Sequence, residues 1–211
     1  MKKSDITRSR ILEVATRLFA TQGYSATGFR QIARDSEVSL NTITYHFGSK
    51  DLLYREAISI VAERHLANAD YYSDVPESGF SAPQDAANAL GRIVRRMARA
   101  SLLPENRWEM GFIMRALMDG RQDEVNGILE RIHAAEDGLL RIVKTSPNPL
   151  SDRDFRFWQR QLRAQLLFFA SSHVSVCLEF GLQEYTPEFV DEIADHIAAN
   201  CALAIQLPKP V

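Results

Sequence analysis

The sequence predicts an all-α protein of about nine helices, and three observations support this fold class. Apolar residues recur at the three- and four-residue spacing of a buried helical face along most of the 211 residues. The alternation of polar and apolar residues that marks a half-buried strand is nearly absent. Serine or threonine precedes several of the periodic stretches, as expected for helix N-caps, and glycine or proline separates several of them.

Charge is distributed unevenly along the chain. There are 25 Lys and Arg against 27 Asp and Glu, and 45% of the residues are apolar, which is typical of an ordinary globular protein. Residues 1–65 hold 10 basic and 7 acidic residues, whereas residues 66–211 hold 15 and 20. The opposite signs of the two parts indicate two regions with different partners.

Four helices are predicted in the first seventy residues. The first ends at Gly23, since glycine tolerates the left-handed conformation that follows many helices. The second follows Thr27 as its N-cap, and the third follows Ser39. The fourth, residues 49–69, follows Ser49 and connects the two regions.

Longer helices are predicted after a loop at residues 71–84, which contains proline and glycine. A capping serine and a threonine–proline pair mark two of the helix starts. The predicted helices lie around 90–97, around 110–117 with Gly120 closing the helix, at 125–143, at 151–181 and from Pro187 onward.

The segment from Phe29 to Phe47 (FRQIARDSEVSLNTITYHF) has the layout of a helix-turn-helix. Two short amphipathic helices flank a tight turn at residues 36–38. The outward residues of the second helix are short or planar and few are charged, which suits base edges and phosphates in a major groove. These residues are Leu40, Asn41, Thr42, Thr44, Tyr45 and His46.

Residues 11–54 resemble the TetR family of bacterial transcriptional repressors. The similar stretches are ILEVATRLFATQGY, FRQIA and VSLNTITYHFGSKDLLY. The resemblance implies a DNA-binding domain at residues 1–50 and a ligand-binding and dimerisation domain at residues 70–211. It also implies a homodimer that binds a palindromic double-stranded DNA operator and releases it when a small-molecule effector binds.

The resemblance places the recognition helix at residues 39–45. Tyr45 then lies where family members contact the DNA backbone, and Lys50 where they contact a phosphate. A helix N-terminus with a nearby cation attracts phosphates, which supports the role of Lys50. The predicted DNA-binding residues are Thr27, Arg30, Ser39, Leu40, Asn41, Thr42, Tyr45, His46 and Lys50.

Two positions depart from the family pattern. Glu37 stands in the turn where many members have glycine, and it would cost about 1 kcal/mol if that position needs a positive φ. Asn41 stands where many have glycine in the recognition helix, and its amide is able to read adenine. The operator sequence therefore cannot be transferred from relatives.

A stripe of methionine and aromatic residues predicts an effector pocket. Methionine adapts to apolar ligands of varied shape, although a packed core shows the same pattern. His173 has the same two interpretations, as a pocket residue or as a core or interface histidine. The pocket candidates are Trp108, Met114, Arg115, Met118, Trp158, Gln161, Gln165, Phe169 and His173.

The last two helices carry more apolar surface than one thin domain buries. A two-fold four-helix interface between protomers would cover it. The predicted interface residues are Phe169, Val176, Cys177, Phe180, Phe189, Ile193, Ile197 and Cys201.

No catalytic site, cofactor or metal is predicted. The five histidines show neither HxxxH nor HExxH spacing, and the sequence has no Gly-rich phosphate loop and no G-x-S-x-G turn. Neither a membrane span nor a signal segment is predicted, so a cytoplasmic location is expected. One alternative to the repressor stays open, namely a helical ligand-sensing module that acts through a protein partner without binding DNA.

Overall fold

The computed structural model describes residues 3–65, 69–118, 126–127 and 137–211. Within these residues there are ten α-helices, a short 3-10 helix at residues 69–72 and no strand, so the all-α prediction is confirmed. Residues 66–68 of the predicted connecting helix lie outside the described residues, as do Gly120 and most of the predicted helix at 125–143. None of the helices in the described part is long and apolar enough to span a bilayer.

Ten α-helices follow one another along the described part of the chain. They are α1 (Lys3–Gln22), α2 (Phe29–Asp35), α3 (Leu40–Phe47), α4 (Lys50–His65), α5 (Pro83–Leu102), α6 (Pro104–Met118), α7 (Asp137–Lys144), α8 (Asp152–Ser171), α9 (His173–Phe180) and α10 (Pro187–Ala204).

The described residues divide into two compact units. The first unit contains residues 3–64, 111–118 and 126–127, and the second contains residue 65 with residues 69–110 and 137–211. The division falls within α4 and within α6, so each of these helices contributes residues to both units.

An aromatic cluster lies in the core of the first unit. The buried ring of Tyr54 on α4 meets three other rings edge-on, at centroid distances of 4.9 Å to Phe19, 5.0 Å to Tyr24 and 5.6 Å to Phe112. Such pairs add about 0.5–1.5 kcal/mol each beyond the burial of their area. The cluster therefore joins α4 to α1 and to the end of α6 that belongs to this unit.

In the second unit, α5 and α10 pack against each other through apolar faces. Leu90 and Ile93 on α5 are fully buried in the same core as Ile193 and Ile197 on α10. Burying one such side chain stabilises the fold by about 1.5–3 kcal/mol, so this contact is a main source of stability for the unit.

Ion pairs line the edge of the contact between α5 and α10. Arg99 donates two hydrogen bonds to Asp191, at 2.7 and 2.6 Å, and Arg95 donates one to Asp195 at 2.5 Å. The two arginines and the two aspartates are each four residues apart, so each pair lies on one side of its helix. The hydrogen bonds from Arg99 lower the pKa of the Asp191 carboxyl.

Four predicted helix starts have the expected side-chain caps. The capping oxygen accepts a hydrogen bond from the backbone N–H three residues later, at 3.1–3.2 Å in each case. The capping residues are Ser39, Ser49, Ser151 and Thr186.

The predicted helix at 151–181 is interrupted in the structure. It consists of α8 and α9, which are separated at Ser172. The hydroxyl of Ser171 donates to the carbonyl oxygens of Leu167 and Phe168, at 2.8 and 3.2 Å. Serine side chains that bond to the backbone in this way compete with the helical pattern, which explains a break at this position.

Candidate functional site

The turn between α2 and α3 has the backbone of a helix-turn-helix. The N–H of Glu37 donates to the carbonyl of Arg34 at 3.1 Å, and the N–H of Val38 donates to that of Ala33 at 2.9 Å. Glu37 has a φ of +54°, in the left-handed region that favours glycine. A non-glycine residue there costs about 1 kcal/mol, so the turn keeps a small strain in this chain.

Buried anchors fix which face of α3 points outward. Ile43 and Phe47 are buried in the core of the first unit. The opposite face presents Leu40 and Asn41 with Tyr45, whose side chain is 83% exposed. An amide, a phenol and an aliphatic group thus stand together on one short helix, which is a combination able to read base edges and contact the backbone.

The hydroxyls at the start of α3 are held by local bonds. The Ser39 and Thr42 hydroxyl oxygens are 2.8 Å apart, and Ser39 also accepts from the Thr42 N–H. At the end of the helix, the ring of His46 is 5.2 Å from that of Tyr45. Ser39 is exposed while Thr42 and His46 are half-buried, so all three have surface available to a partner.

Lys50 is the first residue of α4, next to the end of α3. Its Nζ lies 4.2 Å from the centre of the Tyr24 ring, and the Tyr24 hydroxyl donates to Asp51 at 2.9 Å. Ser49 caps the same helix end. An ammonium group beside a helix N-terminus is a suitable site for a phosphate.

Thr27 departs from the prediction in two respects. Its side chain is fully buried, and its hydroxyl donates to the carbonyl of Gly23 at 2.9 Å. The N-cap of α2 is Gly28, which has no capping side chain. Thr27 therefore satisfies a carbonyl left at the end of α1, and its hydroxyl is not presented to a phosphate.

Comparison with known proteins agrees with this geometry. Residues 11–57 match the family model for bacterial regulatory proteins of the tetR family. Over 57 residues the chain is 44% identical to the HTH-type transcriptional regulator LmrA of Bacillus subtilis, covering 26% of this chain and 30% of LmrA. Over 150 residues it is 31% identical to TcmR of Streptomyces glaucescens, covering 71% of this chain and 64% of TcmR.

Residues 11–57 form a domain of the TetR family. The matched segments span less than two thirds of the length of both curated relatives. The crystal structure of a TetR-family transcription regulator from Marinobacter aquaeolei VT8 has a TM-score of 0.69 with this chain, over 95% of this chain and 98% of that one. At 17% identity this similarity concerns the fold alone.

The pocket candidates fall in both units. Met114, Arg115 and Met118 belong to the first unit. The second unit holds Trp108, Trp158, Gln161, Gln165, Phe169 and His173. The effector pocket therefore stays a prediction for these residues.

Several pocket candidates have other surroundings than expected. Trp158 is buried, and its indole N–H donates to the carbonyl of Cys201 at 3.0 Å, so it is a core residue. Arg115 is exposed beside Gly23, where an added Cβ would lie 3.0 Å from its Nη1. Met118 is 80% exposed. Methionine and aromatic residues at helical spacing occur in cores, in pockets and on surfaces. The sequence pattern alone therefore does not show which of these residues line a pocket.

Two cavities in the second unit involve other residues. One of about 640 Å³ lies at α5 and α10, and four of its eight lining residues are acidic, among them Glu188 and Asp191. Another, of about 230 Å³, lies on α8 and is lined by Arg153, Arg156, Phe157 and Arg160. None of the predicted pocket residues lines either cavity.

The predicted dimer interface is wrong for five of its residues. Ile193, Ile197 and Cys201 face the core on α10, and Val176 and Cys177 are buried in the same core from α9. Their surface is already covered within one chain because α10 packs on α5. Phe180 is 56% exposed, whereas Phe169 and Phe189 are half-buried and pack against the core.

The exposed apolar surface of the second unit involves residues that the sequence did not single out. Val174 and Leu178 on α9 are 71% and 78% exposed, and Leu203 on α10 is 76% exposed. Val174 and Leu178 are four residues apart and form one stripe. That spacing was the available signal, but the neighbouring buried stripe of Val176 and Cys177 obscured it.

A buried contact between a histidine and a carboxylate joins the end of α4 to α6. His65 Nε2 and a carboxylate oxygen of Glu109 are in direct contact, and both side chains are at least nine-tenths buried. The other ring nitrogen of His65, Nδ1, has no hydrogen-bond partner among the described residues. No local pattern predicts this pair, because its members are 44 residues apart in the chain.

The second unit also gathers three side chains that could bind a metal. His173, Cys177 and Glu184 place one ligand atom each within 4.8 Å of the others, a grouping that the sequence analysis does not predict. Two hydrogen bonds from Arg107 lower the pKa of Glu184 to about 2, and burial raises the pKa of the Cys177 thiol. In the sequence, His173 and Cys177 form a His-x-x-x-Cys spacing, which differs from the HxxxH and HExxH patterns of paired histidines.

Proposed function

We propose that the protein is a DNA-binding transcriptional regulator in which α3 reads the major groove of an operator. The observation that carries the proposal is the outward face of α3, which presents Asn41 and Tyr45 while Ile43 and Phe47 hold the helix in the core. The TetR-family domain at residues 11–57 supports it. A regulator of this kind needs no catalytic site.

Each exposed side chain has a role that follows from its chemistry. The Asn41 amide is suited to adenine, because its NH₂ group can donate to N7 while its oxygen accepts from the N6 amino group. The Tyr45 hydroxyl and Lys50 ammonium are suited to phosphates on either side of the groove. Arg30 is exposed, has no partner among the described residues, and adds a further positive charge at the start of α2.

We further infer that the regulator is a homodimer on a palindromic operator. A two-fold dimer presents two copies of α3 to half-sites one helical turn apart, which gives a short helix enough contacts for specific binding. The exposed apolar stripe of Val174 and Leu178, with Leu203, supplies a surface that association would bury.

Repression with release by a small-molecule effector completes the proposal. An effector can release DNA only if it binds the DNA-incompetent arrangement better than the competent one. Helices α4 and α6 each contribute to both units, and the buried pair of His65 and Glu109 links them. These two helices are therefore the proposed route by which occupancy of the second unit changes the first. A regulator of chromosomal operators would act in the cytoplasm.

The test of DNA binding starts from operator fragments recovered by genomic footprinting with the purified protein. Lys50→Ala should weaken binding and reduce the slope of log affinity against log salt by about 1, because one phosphate contact is lost. Tyr45→Ala should also weaken binding, with little change in stability because its side chain is mostly exposed. Lys144→Ala, an exposed lysine at the end of α7, is the matched control.

Two results would contradict the proposal. Unchanged binding in both Lys50→Ala and Tyr45→Ala would remove the assigned interface. A duplex affinity that does not depend on salt would favour the alternative, a ligand-sensing module acting through a protein partner.

The dimer is tested by sedimentation at micromolar concentration. Leu178→Asp places a charge in the exposed apolar stripe and should shift the protein toward monomer. Ile6→Asp, at an exposed apolar residue of α1, is the control and should leave the oligomeric state unchanged. A wild-type monomer, or equal effects of the two substitutions, would contradict the proposed interface.

The release step is tested in a reporter strain that carries the operator upstream of a measurable gene. A compound library identifies inducers of the wild-type protein. The double variant His65→Leu with Glu109→Leu should still repress but respond less to the same inducers. A normal response in that variant would remove this pair from the proposed route.

A further inference from the structure

In the cluster of His173, Cys177 and Glu184, two side chains contact the same ring nitrogen, which a hydrogen-bond network alone does not explain well. Cys177 Sγ lies 3.3 Å from His173 Nε2, and a carboxylate oxygen of Glu184 contacts the same nitrogen. One ring nitrogen carries either one hydrogen or one lone pair, so it cannot serve both partners well at once. A cation shared by the three side chains would use every one of these donor atoms.

The local fold explains why these groups converge. His173 and Cys177 are four residues apart on α9 and so lie on the same side of the helix. Gly181 ends α9 in the left-handed conformation, with a φ of +66°, and the Leu182 N–H donates back to the Cys177 carbonyl at 2.8 Å. This turn directs the following residues back along the helix and brings Glu184 beside its two partners.

We propose that His173, Cys177 and Glu184 form a binding site for a divalent cation of the Zn²⁺ type. Imidazole nitrogen, thiolate sulfur and carboxylate oxygen are the three donors that zinc uses in proteins. Zinc bonds of about 2.3 Å to sulfur and about 2.0 Å to nitrogen place those two atoms roughly 3.5 Å apart in a tetrahedron. The observed separation of these two atoms is 3.3 Å, so they need little movement, whereas the Glu184 oxygen that contacts His173 Nε2 must move away from it to admit the ion.

The donor set also selects the class of cation. Mg²⁺ and Ca²⁺ prefer sites made of oxygen atoms, and a site with a buried thiol and an imidazole disfavours them. Three protein ligands leave one tetrahedral position for water. The partial exposure of His173 and Glu184 provides a path for both the ion and that water.

Arg107 gives the site a distinctive property. It donates two hydrogen bonds to Glu184, at 2.5 and 3.3 Å, and the Tyr185 N–H donates to the same carboxylate at 3.1 Å. These bonds orient the carboxylate, as outer partners of metal ligands do. The guanidinium charge also repels a cation, so Arg107 should lower the affinity of the site while keeping it shaped.

The test uses the full-length protein after treatment with a chelator. Titration with Co²⁺ should give one ion per chain, with visible bands of a tetrahedral site and a thiolate-to-cobalt charge-transfer band. Cys177→Ser should abolish the charge-transfer band. Cys201→Ser should keep it, because Cys201 is the other cysteine of the chain, is also buried, and lies outside the cluster.

Zn²⁺ titration calorimetry then ranks the remaining residues. His173→Gln and Glu184→Gln should each weaken binding by at least about tenfold, since even the loss of an outer partner costs ten- to a hundredfold. Arg107→Gln should tighten binding, by up to about tenfold, because a repelling charge is removed. A structural ion pair without a metal predicts no binding in any of these proteins.

Three outcomes would overturn the site. They are the absence of a charge-transfer band in the wild type, retention of that band in Cys177→Ser, and its loss in Cys201→Ser. Far-UV circular dichroism of each variant separates loss of ligand from loss of fold. The readouts are independent of DNA, so failure here leaves the proposed regulatory function untouched.

Discussion

The two units of the molecule use their polar side chains differently. In the second unit the arginines of α5 are paired with aspartates of the same chain, as Arg99 is with Asp191 and Arg96 with Asp74. In the first unit the outward face of α3 presents Asn41 and Tyr45 to solvent. Charged side chains of the second unit thus form ion pairs within the chain, whereas polar side chains on α3 of the first unit are available to an external partner.

This difference explains how a chain with a net charge of −2 can carry a DNA-binding surface. The acidic excess lies in residues 66–211, where aspartates and glutamates pair with arginines. The small basic excess lies in residues 1–65. An excess of that size favours weak nonspecific binding, so specific affinity should depend on two correctly spaced copies of α3.

The largest loss of stability is expected when one member of the buried pair His65 and Glu109 in the second unit is removed. His65→Ala removes a buried ring together with its contact to the buried Glu109 carboxylate, and it should lower the free energy of unfolding by about 3–5 kcal/mol. Urea denaturation measures the change. The double variant His65→Leu with Glu109→Leu should recover most of the loss, because it replaces both buried polar side chains with apolar ones, and a failure to recover would argue against this cause.

Thr27→Val tests the first unit in the same way. The substitution keeps the shape of the side chain but removes the hydrogen bond to the Gly23 carbonyl, so it should cost about 1–2 kcal/mol. Affinity for DNA per folded molecule should not change. Thr21→Val, an exposed threonine with a similar bond to a helix carbonyl, is the control and should cost less than about 0.5 kcal/mol. A loss of DNA affinity at full stability would restore a phosphate contact for Thr27.

Glu37→Gly should stabilise the protein by up to about 1 kcal/mol. Glycine adopts the positive φ of the turn without strain, although it also gains freedom in the unfolded chain. Thermal denaturation measures the shift. Glu13→Gly, at an exposed position within α1, should instead destabilise by about 1 kcal/mol, and a loss of stability at both positions would contradict the strained turn.

The smallest effect is the acid sensitivity of the contact between α5 and α10. Because the folded-state pKa of Asp191 is lowered by Arg99, its contribution is present above the unfolded pKa of about 3.9 and is lost as pH falls through the folded value. The stability difference between wild type and Asp191→Asn should therefore be largest near neutral pH and shrink below pH of about 4. Urea denaturation across this range measures it, and a difference that grows in acid would be the opposite of what this pairing predicts.

Local signals in the sequence predicted most of the fold. Ser39, Ser49 and Ser151 could be identified as caps because an N-cap is a property of a few adjacent residues. The break at Ser172 could not, since its neighbouring apolar residues continue the helical pattern across it. Periodicity shows that a face is apolar but not which element covers it. The sequence therefore predicts a dimer interface at Ile193 and Ile197, although α5 covers both residues.

The candidate site follows the same rule. The positions in α3 were predictable because Ile43 and Phe47 fix the orientation of a short helix. Thr27 was not, because a threonine before a helix has the same sequence whether it caps that helix or bonds to the preceding one. The cluster of His173, Cys177 and Glu184 depends on the turn at Gly181, and no short sequence motif predicts that this turn brings Glu184 beside the other two.

The end of α6 that packs with the first unit has a consequence for protein engineering. Phe112 lies in the aromatic cluster around Tyr54, although 58 residues separate them in the chain. The DNA-binding unit is thus not one continuous piece of sequence. A chimera that exchanges only residues 1–65 between family members would separate the two sides of this cluster. Exchanging residues 111–118 together with residues 1–65 would keep all the aromatic rings of this cluster from the same protein.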